Sequence, residues 1–241
     1  MNCGPIAQLV EQRPFKPRVA GSSPAGPSTK NPSRNTVTIE PFFGSFCYSD
    51  GMKTVLFVPG FQENIDSRNY KATIGTITEK GYEVKFVPIN WKRTVISDWV
   101  KQLENEYDKH DAKNTILAGF SYGSLTAFMA AIKRNPVELW LFSFSPYFSD
   151  DIPKMKKSWL QGIGKRRTEA FRQLNFKQLS RSIQCKTLIL YGEKEAKKYP
   201  LIGNRAEIAH KTIQTSKLIK VPNAGHDVSD FNYLASIKEA I

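Results

Sequence analysis

Cysteine and histidine are scarce in this chain of 241 residues, which holds three of each. Cys3 and Cys47 fall within the first 51 residues, leaving Cys185 alone beyond them. The region from residue 52 onward can therefore close no internal disulfide, which fits a reducing, cytoplasmic setting. No apolar run approaches the ~20 residues that a spanning helix needs, and the amino terminus has no apolar core of a signal peptide. Neither a ligand-spaced cluster of His, Cys, Asp and Glu nor a phosphate-cradling glycine loop is present, so no metal and no cofactor are expected. Acidic residues are also in deficit, 22 against 35 basic, for a net charge of +13. That balance raises nucleic acid as a partner. The chain has no recognisable nucleic-acid module and no aromatics set within a basic stripe, so none is expected.

What is present centres on Asn114 to Ala130, NTILAGFSYGSLTAFMA. Thr115, Ile116, Leu117 and Ala118 form the short apolar run of a buried parallel strand. Leu125, Phe128, Met129 and Ile132 recur at three- and four-residue spacing, as on an amphipathic helix. Between them Ser121 stands in G-x-S-x-G, where Gly119 and Gly123 let helix and strand approach and leave the hydroxyl exposed on a strained turn, a nucleophile elbow. The pattern is short enough to arise by chance, so its weight rests on its partners.

A nucleophilic serine needs a base, and only three imidazoles exist. His110 ends a charged helix and His210 lies within AEIAHKT; both read as surface or packing residues. His226 sits in the loop NAGHDVSD after the strand KLIKVP, where it can reach a site on the carboxyl edge of a sheet. The orienting acid should come from a loop on the same edge. The strand TLILYG runs into Glu193, Lys194 and Glu195. Glu195 is the first choice because it lies further past the strand end; Glu193 is held in reserve, with Asp150 or Asp151 behind it. The strand Thr54 to Val58 stops at Pro59 and Gly60, which directs the Phe61 amide towards the site as one oxyanion donor, with the Tyr122 amide as the other. Gln62, Tyr147 and Trp159 join Phe61 and Tyr122 as expected pocket neighbours.

The strand-VPGF turn, the GFSYGS elbow, the strand followed by GEKE and the strand followed by NAGHD come in the order of the α/β-hydrolase family, which residues 52 to 241 resemble. The resemblance implies a serine hydrolase acting on a carboxylic ester or related small acyl compound through Ser121, His226 and Glu195. Pro59-Gly60 stands where many relatives have His-Gly, Glu195 where Asp is common, and the two amino-terminal strands of larger relatives are missing. An acyltransferase or thioesterase with the same nucleophile, and a non-catalytic binding module on the same fold, are the alternative readings.

Strands and helices alternate from Met52: strands at 54–58, 82–88, 115–118, 137–145, 187–192 and 217–221, with a helix over 95–107. This predicts an α/β class, a mostly parallel, doubly wound sheet of about six strands with helices on both faces. Residues 146–185 interrupt the alternation as a short basic cap, rich in Lys and Arg with Trp159, Ile163, Phe171, Leu174 and Phe176 interleaved. Its charge reads either as attraction for an anionic substrate or partner or as a solvated face.

Residues 1–51 carry half of the chain's 14 prolines and little apolar periodicity. Gly4 to Pro27 resembles the translation of a transfer-RNA gene: Ile6 to Gln12 can be encoded by a D-arm and Gly21 to Pro24 by a T-arm. Codons for Gly4-Pro5-Ile6 admit GGGCCCA, and those closing Ala25-Gly26-Pro27 admit its reverse complement. The expectation is therefore a spurious or disordered extension over 1–51 and a true start at Met52. Mass spectrometry of the native protein should find no peptide between Ala7 and Pro27; one such peptide refutes the reading.

Overall fold

The computed structural model describes residues 51–241, so the expectations for the preceding stretch lie outside the described residues. The elements follow in the order β1 (Thr54–Val58), α1 (Tyr70–Thr78), β2 (Glu83–Phe86), α2 (Ile96–Tyr107), β3 (Thr115–Phe120), α3 (Tyr122–Arg134), β4 (Glu138–Phe142), α4 (Lys157–Ile163), α5 (Lys165–Arg172), α6 (Phe176–Ser180), β5 (Lys186–Gly192), α7 (Glu193–Lys198), α8 (Pro200–Thr212), β6 (Ser216–Val221) and α9 (Phe231–Ala240). The six strands pair in parallel in the order β2-β1-β3-β4-β5-β6.

Near-continuous apolar sequence in the central strands is what a sheet covered on both faces requires. Successive side chains point to opposite faces. Leu56, Val58, Leu117, Leu139, Leu141 and Ile189 thus join one core with Trp99, Leu103, Leu125 and Phe128 of α2 and α3. Val55, Phe57, Ile116, Trp140, Phe142 and Leu190 join the other with Tyr70, Ile77, Tyr233 and Ile237 of α1 and α9. Edge strands β2 and β6 are only partly buried, as their sequences EVKF and SKLIKV imply.

Strand order reverses direction at β1 and β3, since the chain runs from β1 outward to β2 and then back to β3. In open α/β sheets the crevice at such a switch point, beyond the carboxyl ends of the strands, is where ligands bind. The segment expected to cap it forms three short helices, α4 to α6, and buries Ile163, Phe171 and Phe176.

Three boundaries differ from expectation. β3 runs two residues further, to Phe120. β2 spans only Glu83–Phe86, although the Val87 amide still reaches the Phe57 carbonyl at 2.8 Å. β4 ends at Phe142 because Ser143 takes a left-handed backbone, φ 52°.

The elbow is the tightest junction. A Cβ on Gly123 would lie 2.1 Å from the Val58 carbonyl oxygen, and one on Gly119 2.3 Å from the Gly123 backbone. Neither neighbour is a movable side chain. Gly123→Ala should lower stability to urea by about 3 kcal/mol or more. Gly75→Ala in α1, where a Cβ meets nothing within 4 Å, should raise it by about 0.5–1 kcal/mol.

Candidate active site

Ser121 sits between β3 and α3 with φ 56° and ψ −118°, a conformation that costs a non-glycine residue of order 1–3 kcal/mol. The surrounding backbone holds it there: its amide donates to the Phe142 carbonyl at 2.9 Å, and its own carbonyl accepts from the amides of Ser124 and Leu125. The hydroxyl lies 3.2 Å from His226 Nε2. His226 Nδ1 is hydrogen-bonded to Glu195 Oε1, so the carboxylate fixes the proton on Nδ1 and leaves Nε2 as the acceptor facing the serine. The structure thus brings together the three side chains singled out in the sequence. The imidazole also packs on the Phe120 ring, with centroids 4.7 Å apart.

Glu195 departs from expectation in one respect. It is not on an open loop but in the first turn of α7, and only 1% exposed. A buried carboxylate needs partners for both oxygens. Oε2 accepts from the Gly192 amide at 3.0 Å, which is the helix-capping half of a capping box, and from Ser143 Oγ at 2.9 Å. Ser143 also meets the Tyr233 hydroxyl at 3.1 Å, and Tyr233 donates to the Leu190 carbonyl at 2.9 Å. Burial, and then the Glu195 charge, push the Tyr233 hydroxyl well above its ordinary value, so it remains a neutral donor. Ser143 and Tyr233 were not foreseen. A serine inside the apolar run ELWLFSF was the available signal for Ser143; Tyr233 reads as an ordinary core residue.

The reserve acids have other work. Glu193 accepts from the Asn223 amide at 3.2 Å and pairs with Lys197; the Asn223 hydrogen bond, then Lys197, hold its carboxyl below the usual range. It anchors the His226 loop from outside. The amides of Lys194 and Glu195 both donate to the Ala224 carbonyl, and a Cβ on Gly192 would lie 2.5 Å from that same oxygen. Asp150 and Asp151 instead bind Arg205, which is fully buried between the rings of Phe148 and Phe176. His110 lies 3.6 Å from Glu106, and His210 contacts Ser216.

The Phe61 turn lies at the end of β1. The Gly60 amide donates to the Tyr70 hydroxyl at 2.9 Å, and that hydroxyl donates to Glu63. A Cβ on Gly60 would lie 2.3 Å from the Glu63 carboxylate. The amides of Phe61 and Tyr122 donate to no described acceptor, leaving both available to a ligand. Their side chains share an aromatic enclosure: the Phe61 ring lies 4.9 Å from Tyr122, and Tyr122 lies 4.6 Å from Tyr147. Trp91, Trp99 and Phe171 close it. Burial raises the Tyr122 hydroxyl well above its usual range and the Tyr147 hydroxyl to about 12, so both are neutral at physiological pH. Gln62 is exposed on the turn, and Trp159 stacks on Tyr199.

No family model matches the chain, and no curated protein does. Solved structures do. Est1E from Butyrivibrio proteoclasticus superposes with a TM-score of 0.65 at 16% identity over 78% of this chain and 85% of its own. A thioesterase domain from the curacin biosynthetic pathway gives 0.59 at 15% identity over 79% and 91%, and a bromoperoxidase from Bacillus anthracis gives 0.58 at 14% over 78% and 90%. The chain has the α/β-hydrolase fold. Among the described residues no helix is long and apolar enough to cross a membrane.

The Arg205 cluster should prove structural. Arg205→Met should cost about 3–5 kcal/mol in urea unfolding, because it leaves Asp151 buried without its counter-charge. Asp150→Asn, at the half-exposed partner, should cost about 1 kcal/mol or less.

Proposed function

We propose that the chain is a serine hydrolase that cleaves a carboxylic ester or related acyl compound through an acyl-enzyme. The observation that carries this reading is the alignment of Ser121 Oγ, 3.2 Å from His226 Nε2, with an imidazole whose other nitrogen faces the buried Glu195. A strained serine on a strand-to-helix turn, with a base oriented by a carboxylate, is the arrangement that activates a hydroxyl for acyl transfer.

Ser121 Oγ attacks the acyl carbon while its proton passes to His226 Nε2. Negative charge develops on the former carbonyl oxygen, where the amides of Phe61 and Tyr122 stabilise it. Collapse of the intermediate breaks the bond to the leaving group, which takes the proton from Nε2. Water then gives a proton to the same nitrogen and attacks the acyl-enzyme, releasing the carboxylic acid and restoring Ser121. Glu195, hydrogen-bonded to Nδ1, orients the imidazole and stabilises the imidazolium that forms. The likeness in fold to the thioesterase domain from the curacin biosynthetic pathway supports the same class of chemistry.

A fluorophosphonate probe should label the wild type on Ser121, and short-chain aryl esters should be hydrolysed; Ser121→Ala should do neither. A folded wild type that is inert in both assays refutes the proposal. Glu195→Gln should lower kcat by about 10³-fold or more, as loss of the orienting acid does in such sites, whereas Glu193→Gln should change it little. Ser143→Gly keeps the left-handed backbone and removes only the hydroxyl bonded to Glu195. It should lower kcat by about tenfold, equivalent to the ~1.4 kcal/mol of one hydrogen bond to a charged group.

A further inference from the structure

Several cations in this basic protein have acidic partners: Lys53 pairs with Glu138, Arg134 with Asp108, Arg205 with Asp150 and Asp151, and Lys238 with Glu79. Among those without an ion pair to a described residue, one group converges from two segments of the chain. The first turn of α5, with Lys165, Arg166 and Arg167, docks on the loop that carries Lys92 and Arg93. Arg167 donates from Nε to the Thr94 carbonyl at 3.1 Å and from Nη2 to the Trp91 carbonyl at 2.6 Å, and Arg166 reaches the Arg93 carbonyl at 3.4 Å. Five positive charges from two segments are thereby gathered, and none forms an ion pair with a described residue. The carboxylates on the adjoining helices are engaged elsewhere: Asp98 accepts from the Val95 amide and Glu169 from the Gln173 side chain.

This arrangement is unfavourable by itself. Like charges repel, and three of the five stand at the positive end of a helix dipole, where cations are disfavoured. Four are exposed, but Arg167 is half-buried, its guanidinium 4.8 Å from the centre of the Phe61 ring and 6.0 Å from that of Trp99. Its hydrogen bonds go only to neutral backbone carbonyls, those of Thr94, Ile163 and Trp91. The cluster therefore reaches from solvent to the Phe61 ring, which lies against Tyr122, the residue after Ser121, and what would relieve it is a multiply charged anion arriving with the substrate. Phosphate carries close to two charges on one group and matches guanidinium donors.

We propose that this cluster binds a phosphate-bearing part of the substrate, so that the acyl compound cleaved at Ser121 is a phosphorylated ester or thioester. The inference rests on the serine hydrolase reading above and narrows its substrate class.

Acetyl coenzyme A and S-acetyl-N-acetylcysteamine share the acetyl thioester end and differ in the phosphates, and they serve as the probes. Wild type should show a kcat/KM about tenfold or more higher for the phosphorylated thioester at low salt, as expected of electrostatic capture, and the gap should narrow with added salt. Lys92→Glu/Lys165→Glu/Arg166→Glu should bring the two substrates within about twofold, with the neutral thioester and fluorophosphonate labelling unchanged, since steering acts only on the charged probe. Lys186→Glu/Lys211→Glu/Lys217→Glu makes the same change in net charge elsewhere and should preserve the preference. The corresponding Gln variant of the first set, which introduces no new repulsion, should fall between.

Equal use of the two thioesters by an active wild type overturns the proposal, as does an equal loss in both charge-reversal variants. Tight binding of single-stranded RNA without discrimination between the thioesters overturns it in favour of a nucleic-acid surface. Calorimetric binding of adenosine 3′,5′-bisphosphate separates the two readings. If wild type binds it, the charge-reversed cluster does not, and Ser121 neither labels nor turns over, then the anion site stands and the hydrolase reading fails. Absence of binding in an active wild type overturns the anion site alone.

Discussion

Everything at this site depends on how closely β1, β3 and α3 approach at the elbow. Gly123 sits against the Val58 carbonyl and Gly119 against Gly123, with no room for a methyl group at either position. That contact brings the end of β1, and hence the Phe61 turn, beside the strained Ser121. It also explains why the aromatic rings of Phe61 and Tyr122 lie in contact: they leave neighbouring strands just past the glycine junction. Local strain at Ser121 is sustained because sheet pairing on one side and the first turn of α3 on the other both fix its backbone.

The opposite half of the site is organised by a different device. β5 and β6 deliver an acid and an imidazole from separate segments, and one acceptor, the Ala224 carbonyl, joins them through two amides of α7. Glu193 braces the outside of that junction while Glu195 occupies its interior. Ser143 then links the acid back to β4. Two neighbouring glutamates, alike in composition, are separated in role by which side of a helical turn they occupy.

The fold was legible because parallel strands buried on both faces leave short apolar runs, and the helices between them keep their period. Ser121 and His226 were legible because an elbow demands small neighbours and because imidazoles were few. Glu195 could be ranked ahead of Glu193 from chain reach alone, but not for the reason the structure supplies, since burial in a helical first turn has no signature distinct from a charged loop. Ser143, Tyr70 and Glu63 were less accessible. Their importance lies in hydrogen bonds that join Ser143 to the Glu195 carboxylate, Tyr70 to the Gly60 amide and Glu63 to the Tyr70 hydroxyl, and neither propensity nor spacing encodes those partners. The cap showed the same limit: its positive charge was countable, but its convergence with Lys92 and Arg93 required the docking of α5.

Because the carboxylate that orients His226 is also the cap of α7, helix order and acid placement are a single variable. When the first turn of α7 frays, the Gly192 amide loses its acceptor and the imidazole loses its orienting group in the same event. Ser121, His226 and Glu195 therefore keep their mutual geometry only while that turn is formed. Their alignment reads out the local folding equilibrium of the six residues of α7.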